Sequence, residues 1–184
     1  MKAWFWAAAS ALLLWQCEGN GAAGANNAAG AAAGAATAAT AAAGGGSFRS
    51  PLPVPMNTRE AVTLTKNYWV FEYYIDPDNP INNRANRGRW YKLNPDGTFE
   101  SGHWDQTTGR GSWGLGMAED NKYMVVHFDS NIDAEDSEYM IQGINDQEDA
   151  MSWVGTDLYK QGQIMIKTIQ LLSIPTKKQF GIEE

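Results

Sequence analysis

Between Lys66 and Ile174 the sequence alternates apolar and polar residues in short runs, and turn-forming residues separate the runs. Aromatic and β-branched residues dominate them, and a period of two residues is typical of strands with one buried face. Eight runs are present: Lys66 to Asp76, Arg87 to Leu93, Thr98 to Trp104, Arg110 to Leu115, Asn121 to Asp129, Ser137 to Ile144, Ala150 to Thr156 and Gln163 to Ile174. Sustained helical periodicity is lacking, so the sequence predicts an all-β domain.

The short connections between these runs favour one antiparallel meander. The sequence predicts a tight hairpin turn at Asn94-Pro95-Asp96-Gly97. Proline fixes its own φ angle, and glycine adopts a positive φ without a steric penalty. An open meander leaves two unpaired edges, whereas closure removes both. We therefore expect an eight-stranded up-and-down barrel within residues 58–184. A sandwich of two meander sheets is the alternative.

The chain before this domain has two segments of different composition. Residues 3–15 are apolar except for Ser10, and this run has the length of a signal-peptide hydrophobic region rather than of a bilayer span. Residues 18–57 are rich in Ala and Gly and then in Pro, which predicts an unpacked linker ending in a stiff polyproline-type stem. We predict a signal peptide over 1–17 and a linker over 18–57.

The end of the apolar run resembles the lipobox of bacterial lipoproteins, in which a cysteine becomes the lipidated first residue. The residues that carry the resemblance are Leu14, Trp15, Gln16 and Cys17, the only cysteine of the chain. The resemblance implies an exported protein anchored to the membrane of a bacterial cell envelope through Cys17. Cleavage around Gly21 to Ala23, which yields a secreted or periplasmic protein, is the alternative.

The strand region resembles the lipocalin-like barrels of bacterial lipoproteins, within the calycin group. Trp69 in the first strand, the turn and strand Asp96-Gly97-Thr98-Phe99, and Gly111-Ser112-Trp113 in the fourth strand carry this resemblance, which covers residues 66–174. It implies the closed barrel described above. Lipocalins carry a helix after the barrel, whereas residues 175–184 are predicted to form a short polar tail.

In a meander, alternate connections gather at one end of the barrel. The long connections, 77–86, 105–109, 130–136 and 157–162, all belong to the same end, which predicts a ligand entrance there. The candidate ligand-binding residues are Trp69, Phe71 and Tyr73 on one face of the first strand, Trp113, Trp153, and Arg87 and Arg89 at the rim. Alternatively, aromatic rings of this size fill the core.

Charged residues of both signs belong to the predicted entrance. The basic ones are Arg84, Arg87, Arg89 and Arg110, and the acidic ones are Asp129, Asp133, Glu135, Asp136 and Glu138. Three roles stay open: pairing that holds a loop as a lid, a grip of the arginines on an anionic head group, and simple solvation.

Several function classes are disfavoured. A formal net charge of −7 argues against a nucleic-acid binder. The two histidines, His103 and His127, form no recognisable nucleophilic arrangement with Ser101, and Glu100 or Asp105 beside them has nonspecific zinc spacing. The series Asp129, Asn131 and Asp133 cannot complete an EF-hand loop, which requires Gly and Glu where Ala134 and Met140 stand. We expect no enzyme activity, cofactor or metal.

Export, tether, barrel patterning and asymmetric loops together predict a membrane-tethered protein that binds a small apolar or amphipathic molecule. The alternative is a non-catalytic structural or protein-interaction module with a filled barrel, whose partner is another envelope protein.

Overall fold

A computed structural model gives the fold of residues 46–119 and 121–182. Eight antiparallel strands pair in chain order, and the last pairs with the first, so the sheet closes into a barrel. The strands are β1 (Tyr68–Ile75), β2 (Arg89–Leu93), β3 (Thr98–His103), β4 (Gln106–Met117), β5 (Met124–Ser130), β6 (Ser137–Gln142), β7 (Ala150–Gly155) and β8 (Met165–Leu171). The predicted barrel is confirmed, and it is compatible with a lipocalin-like fold. The predicted signal peptide, Cys17 and linker residues 18–45 lie outside the described residues.

The connection between β3 and β4 is shorter than predicted. Polar, glycine-containing residues 105–109 predict a loop, but β4 begins at Gln106, which pairs with His103. Trp104 and Asp105 alone make the turn. The mouth is therefore bordered by three long connections, which contain the helix α2 (Ile81–Ala85) and the 3-10 helices Asp133–Glu135 and Asp157–Tyr159.

A β-bulge in β1 changes which side chains face the interior. The pairing with β8 shifts register between Phe71 and Tyr73, so Glu72 is an extra residue in the strand. Phe71 is buried, whereas Tyr73 is 55% exposed and Tyr74 packs against the core instead. The prediction that Tyr73 shares the inward face with Trp69 and Phe71 is therefore wrong.

A short helix, α1 (Arg59–Thr65), closes the end of the barrel opposite the mouth. Thr58 caps it by accepting a hydrogen bond from the Ala61 amide, and Leu64 is fully buried. The Trp69 indole donates to the Leu64 carbonyl at 3.1 Å, which fixes α1 to the interior of β1. Periodicity did not predict α1, because a seven-residue helix is stabilised by packing and not by its own sequence.

Residues 46–57, which we call the strap, lie along the outer wall of the barrel. Arg49 pairs with Asp129 on β5 at 2.6 Å, and the Val54 amide donates to the Pro95 carbonyl at 3.0 Å. Gly46 lies so close to Asn131 that a side-chain carbon there would stand 2.2 Å from the Asn131 carbonyl oxygen. The strap thus runs from the mouth end to the closed end, and the predicted proline-rich stem packs on the barrel.

The segment after β8 is structured and not simply a tail. It contains the 3-10 helix Lys177–Phe180, which Thr176 and Gln179 cap reciprocally. The Phe180 ring contacts Trp104 edge-on at a centroid distance of 5.5 Å. Within the described residues, no helix is both long enough and apolar enough to cross a bilayer.

Candidate functional site

Aromatic rings from different sides of the barrel meet in its interior. Tyr91 on β2 and Phe128 on β5 lie 4.6 Å apart between ring centroids, and Phe128 lies 5.7 Å from Trp153 on β7. Phe71 on β1 approaches Trp153 at 5.8 Å. Rings on strands that do not neighbour each other can touch only across the lumen, so these contacts span it.

These interior side chains leave no room that solvent can reach. Trp153 and Phe128 are 0% exposed, and Phe71 is 1% exposed. A cavity large enough for water would leave accessible area on the side chains that line it. The remaining buried apolar side chains of the interior are Trp69, Tyr91, Leu93, Phe99, Trp113, Val126, Tyr139, Ile141, Met151 and Ile166. The lumen is therefore filled by its own side chains, as an eight-stranded barrel permits.

The seven predicted ligand-binding residues fall into three places. Trp69, Phe71, Trp113 and Trp153 lie in the core, Tyr73 lies on the outer wall, and Arg87 and Arg89 lie at the mouth. The four core residues are brought together, but as packing and not as the lining of a space. Trp153 Nε1 is buried and has no hydrogen-bond partner among the described residues.

An ion pair closes the mouth from inside. Arg89, the first residue of β2, donates through its guanidinium to Glu135 of the 3-10 helix between β5 and β6. Burial opposes the charge on Arg89, yet Tyr91, Glu135 and Tyr139 together raise its pKa. Of the three roles left open for the charged residues at the mouth, pairing of opposite charges is thus observed for Arg89 and Glu135. The ion pair connects β2 to the β5–β6 connection.

The carboxylate of Glu135 faces the interior wall as well as Arg89. Its Oε2 atom is buried without a hydrogen-bond partner in the described part of the chain, and so is Ser101 Oγ. A side-chain carbon on Gly109 would stand 2.6 Å from Ser101 Oγ and 3.3 Å from Glu135 Oε2. Gly109 therefore makes room for Glu135 to enter the mouth.

Two tyrosines lie directly beneath this ion pair. Burial raises the pKa of both Tyr91 and Tyr139, and the Ser137 hydroxyl partly offsets the effect on each. Both phenols therefore stay neutral over the physiological range. Their rings belong to the aromatic core, and both residues interact electrostatically with Arg89.

Arg87 is engaged by the C-terminal segment. Its guanidinium donates to the Phe180 carbonyl at 3.0 Å and lies over the Phe180 ring, 5.5 Å from the centroid. The carbonyl of Arg87 also contacts His103 Nε2 at 2.9 Å. The two arginines that were candidates for binding an anion, Arg87 and Arg89, thus both contact groups of the protein itself.

The two histidines lie on opposite faces of the wall. His103 belongs to the mouth, whereas His127 lies on the outer face of β5, where its Nε2 contacts Arg49 and its Nδ1 lies 3.5 Å from Glu138. Across residues 46–119 and 121–182, no three His, Cys, Asp or Glu side chains are grouped closely enough to hold a metal ion. Sequence reasoning missed the His127 cluster because Arg49 belongs to a segment that was predicted to be unpacked.

A groove between the strap and the outer wall of β4 was also missed. It has a volume of about 280 Å³, and the strap residues Leu52, Pro53 and Pro55 give it an apolar wall. Residues 112–115 of β4 border it on the other side, and Arg49 and His127 also line it. Its floor includes Gly114, where an added side-chain carbon would meet nothing within 4 Å. Gly114 and Gly116, on the outer face of β4, are the sequence signal for this groove.

No known family model matches the chain, and a comparison with curated proteins finds no significant relative.

Proposed function

We propose that this protein is a membrane-tethered, non-catalytic module of the bacterial cell envelope that acts through the outside of a filled barrel. The observation that carries the proposal is the packing of the lumen around Phe128 and Trp153. Pockets for small molecules usually enclose about 300–1,000 Å³. Side chains occupy the place where a barrel of this kind would hold such a ligand, which supports recognition by the outer surface.

Tryptophan emission tests the filled lumen. The protein is titrated with a fatty acid, a sterol and an apolar aromatic probe, and we expect no saturable change. The matched variant Trp153→Ala removes the indole at the centre of the ring contacts and opens a cavity, which we expect to admit the aromatic probe. A saturable response of the unaltered protein at a ratio of one ligand per chain contradicts the filled lumen, unless the groove variant described below abolishes that response.

The membrane tether rests on the lipobox-like Leu14 to Cys17. Acyl chains contribute about 0.8 kcal/mol per buried methylene, so an acylated cysteine that carries more than one chain anchors a protein stably. Cys17→Ser should move the protein from the membrane fraction to the soluble fraction of the producing cells, whereas the neighbouring control Glu18→Gln should leave it in the membrane. Retention of the Cys17→Ser variant in the membrane contradicts the tether.

A second candidate function is binding of a small apolar molecule in the groove beneath the strap. The open floor at Gly114 favours it, because the groove stays unfilled while the neighbouring wall is packed. Gly114→Leu places an apolar side chain in this space, where its first carbon would meet nothing within 4 Å. Gly116→Ala on the same strand is the control, since its side-chain carbon would meet Val125 at an ordinary 3.6 Å. If the emission titration detects binding, loss of that response in Gly114→Leu alone assigns the ligand to the groove.

A further inference from the structure

The outer wall of the barrel carries a group of exposed apolar side chains at its mouth end. Ile75 and Met165 are paired across the β1–β8 seam, and each is 50% exposed. Tyr73, two residues before Ile75, lies on the same outer face and is paired with Lys167. The β-bulge at Glu72 places Tyr73 and Ile75 outside, so this group is a consequence of the irregularity in β1.

The two connections that flank the seam add one exposed apolar residue each. Ile81 in α2 follows β1 and is 79% exposed, and Leu158 precedes β8 and is 63% exposed. Because β7, β8, β1 and β2 are neighbours in the closed sheet, these connections follow each other around the mouth. The β7–β8 connection also extends over β6, where the Tyr159 ring lies 5.8 Å from the His127 ring. We call Tyr73, Ile75, Ile81, Leu158 and Met165 the apolar rim. Single exposed apolar residues need no explanation, but a group on one arc is typical of an interaction surface.

The base of α2 is held in place, which keeps Ile81 exposed. The Asp76 carboxylate accepts a hydrogen bond from the Asn82 side chain at 2.8 Å, and the Asp76 amide donates to Asn83 Oδ1 at 2.9 Å. The rim is therefore a prearranged surface, with α2 fixed to the end of β1.

The strap determines at which end the N-terminal segment joins the barrel. Gly46 packs against the Asn131 carbonyl in the β5–β6 connection, which belongs to the mouth end, and the strap then runs towards Pro95 at the closed end. The described part of the chain therefore begins, at Gly46, at the same end as the apolar rim, and Cys17 precedes Gly46 in the sequence. Along the chain, Cys17 is closer to Gly46, which lies at the mouth end, than to Val54, which contacts the closed end.

In the two chain segments that carry the rim, residues 72–86 and 157–167, charges nearly cancel. The basic residues are Arg84, Lys160 and Lys167, and the acidic residues are Glu72, Asp76, Asp78 and Asp157. Lys167 and Glu72 neutralise each other at 2.6 Å, and Lys167 also lies 5.7 Å from the Tyr73 ring centroid. The surface is thus suited to burying apolar side chains in a membrane interface and not to collecting anionic lipid.

We infer that the apolar rim rests on the lipid surface to which the chain is tethered, with the mouth of the barrel towards the membrane. This inference rests on the tether of the proposed function. Tyr73 suits the interface because its ring is apolar and its hydroxyl is polar. A tether supplies a high effective concentration, so a weak contact of five side chains is enough to orient the domain.

The test uses the acylated full-length protein in vesicles of phosphatidylcholine. Single cysteines are introduced as Ile81→Cys, Leu158→Cys and, as the control, Leu172→Cys, and each is labelled with a fluorophore that reports polarity. Leu172 is 86% exposed and follows the closed-end terminus of β8, so it matches the rim sites in exposure but not in position. An acylated Cys17 does not react with the label.

We expect a blue shift and quenching by brominated acyl chains at positions 81 and 158, no change at 172, and no dependence on salt. Two results would contradict the proposed orientation while leaving the tether intact. One is an equal signal at all three positions. The other is no signal at positions 81 and 158 in protein whose acylated Cys17 does not react with the label. Label recovered on Cys17 shows instead that the tether has failed, and the orientation fails with it. Dimers in lipid-free sedimentation that Met165→Ser dissociates would assign the rim to a second copy of the chain.

Discussion

Arg89 and Glu135 join opposite sides of the mouth by an ion pair that is largely shielded from solvent. Arg89 opens β2, and Glu135 lies in the connection between β5 and β6, so the contact links segments that are not neighbours in the sheet. Arg89 interacts electrostatically with Tyr91 and Tyr139. Aromatic rings fill the lumen, and the ion pair crosses its mouth.

This pair should couple strongly in a double-mutant cycle. Glu135→Leu leaves Arg89 without its charged partner, and Arg89→Met leaves Glu135 without its own. Each single variant should cost about 1–3 kcal/mol of unfolding free energy, because a poorly solvated charge loses its compensation. The double variant Arg89→Met/Glu135→Leu should recover much of that loss. Urea unfolding of the four proteins measures the coupling.

The control is the exposed pair of Arg49 and Asp129, whose arginine side chain is 69% exposed. Its cycle should give a coupling of about 0–1 kcal/mol. Equal coupling energies for the two pairs would contradict the assignment of Arg89 and Glu135 as a shielded closure of the mouth.

Truncation in the lumen should be far more costly than truncation on the wall. Phe128 contacts rings on four other strands, among them Phe99 at 5.3 Å, so Phe128→Ala should cost about 3–5 kcal/mol. Tyr73→Ala removes a ring of similar size from the outer wall and should change stability by about 0.5 kcal/mol or less. Urea midpoints compare the two, and similar losses would count against a lumen filled around Phe128.

The strap contact can be isolated with two glycines. Gly97 and Gly143 both have positive φ, +84° and +58°, so alanine at either position introduces backbone strain of about 1–2 kcal/mol. Only at Gly97 would the new carbon also collide with the strap, at 2.1 Å from the Leu52 carbonyl oxygen.

Gly97→Ala should therefore free the strap, and trypsin should cleave after Arg49 faster than in Gly143→Ala. Limited proteolysis followed by mass spectrometry measures the two rates. Identical rates in both variants would indicate that the Gly97 contact does not hold residues 46–57 against the barrel.

Stability should depend on pH through Glu148 at the closed end. Hydrogen bonds from Lys66 and Arg59 lower the pKa of Glu148 from 4.5 to about 2. A carboxylate whose pKa is lower in the folded state stabilises the fold above its unfolded pKa, and this contribution disappears as the pH falls towards 2. Glu148→Gln should thus lower the urea midpoint at pH 7 and have a much smaller effect at pH 2.

Asp146→Asn in the same β6–β7 connection is the control. Asp146 is exposed, and the substitution removes the same charge as Glu148→Gln does. A pH-independent difference between Glu148→Gln and the unaltered protein would mean that Glu148 acts through packing and not through its charge.

The strands were predictable because alternation is local, and the places where prediction failed are those where local pattern and pairing disagree. Residues 105–109 look like a loop, yet Gln106 and Thr107 extend β4 because β3 offers them partners. Tyr73 continues the alternation of Trp69 and Phe71 in the sequence, but the register shift at Glu72 turns it outward. A single inserted residue reverses every later side chain of a strand.

The sequence by itself determined the number, order and antiparallel sense of the strands, because a period of two residues and the turns between the runs are properties of short segments. Only the tertiary structure decided that the rings of Phe71, Phe128 and Trp153 meet, that Arg89 finds Glu135, and that the strap ends at the mouth. These contacts join residues far apart in the chain. They form only when the barrel closes and its register brings these side chains face to face. A local sequence pattern cannot specify which distant side chains will meet in this way.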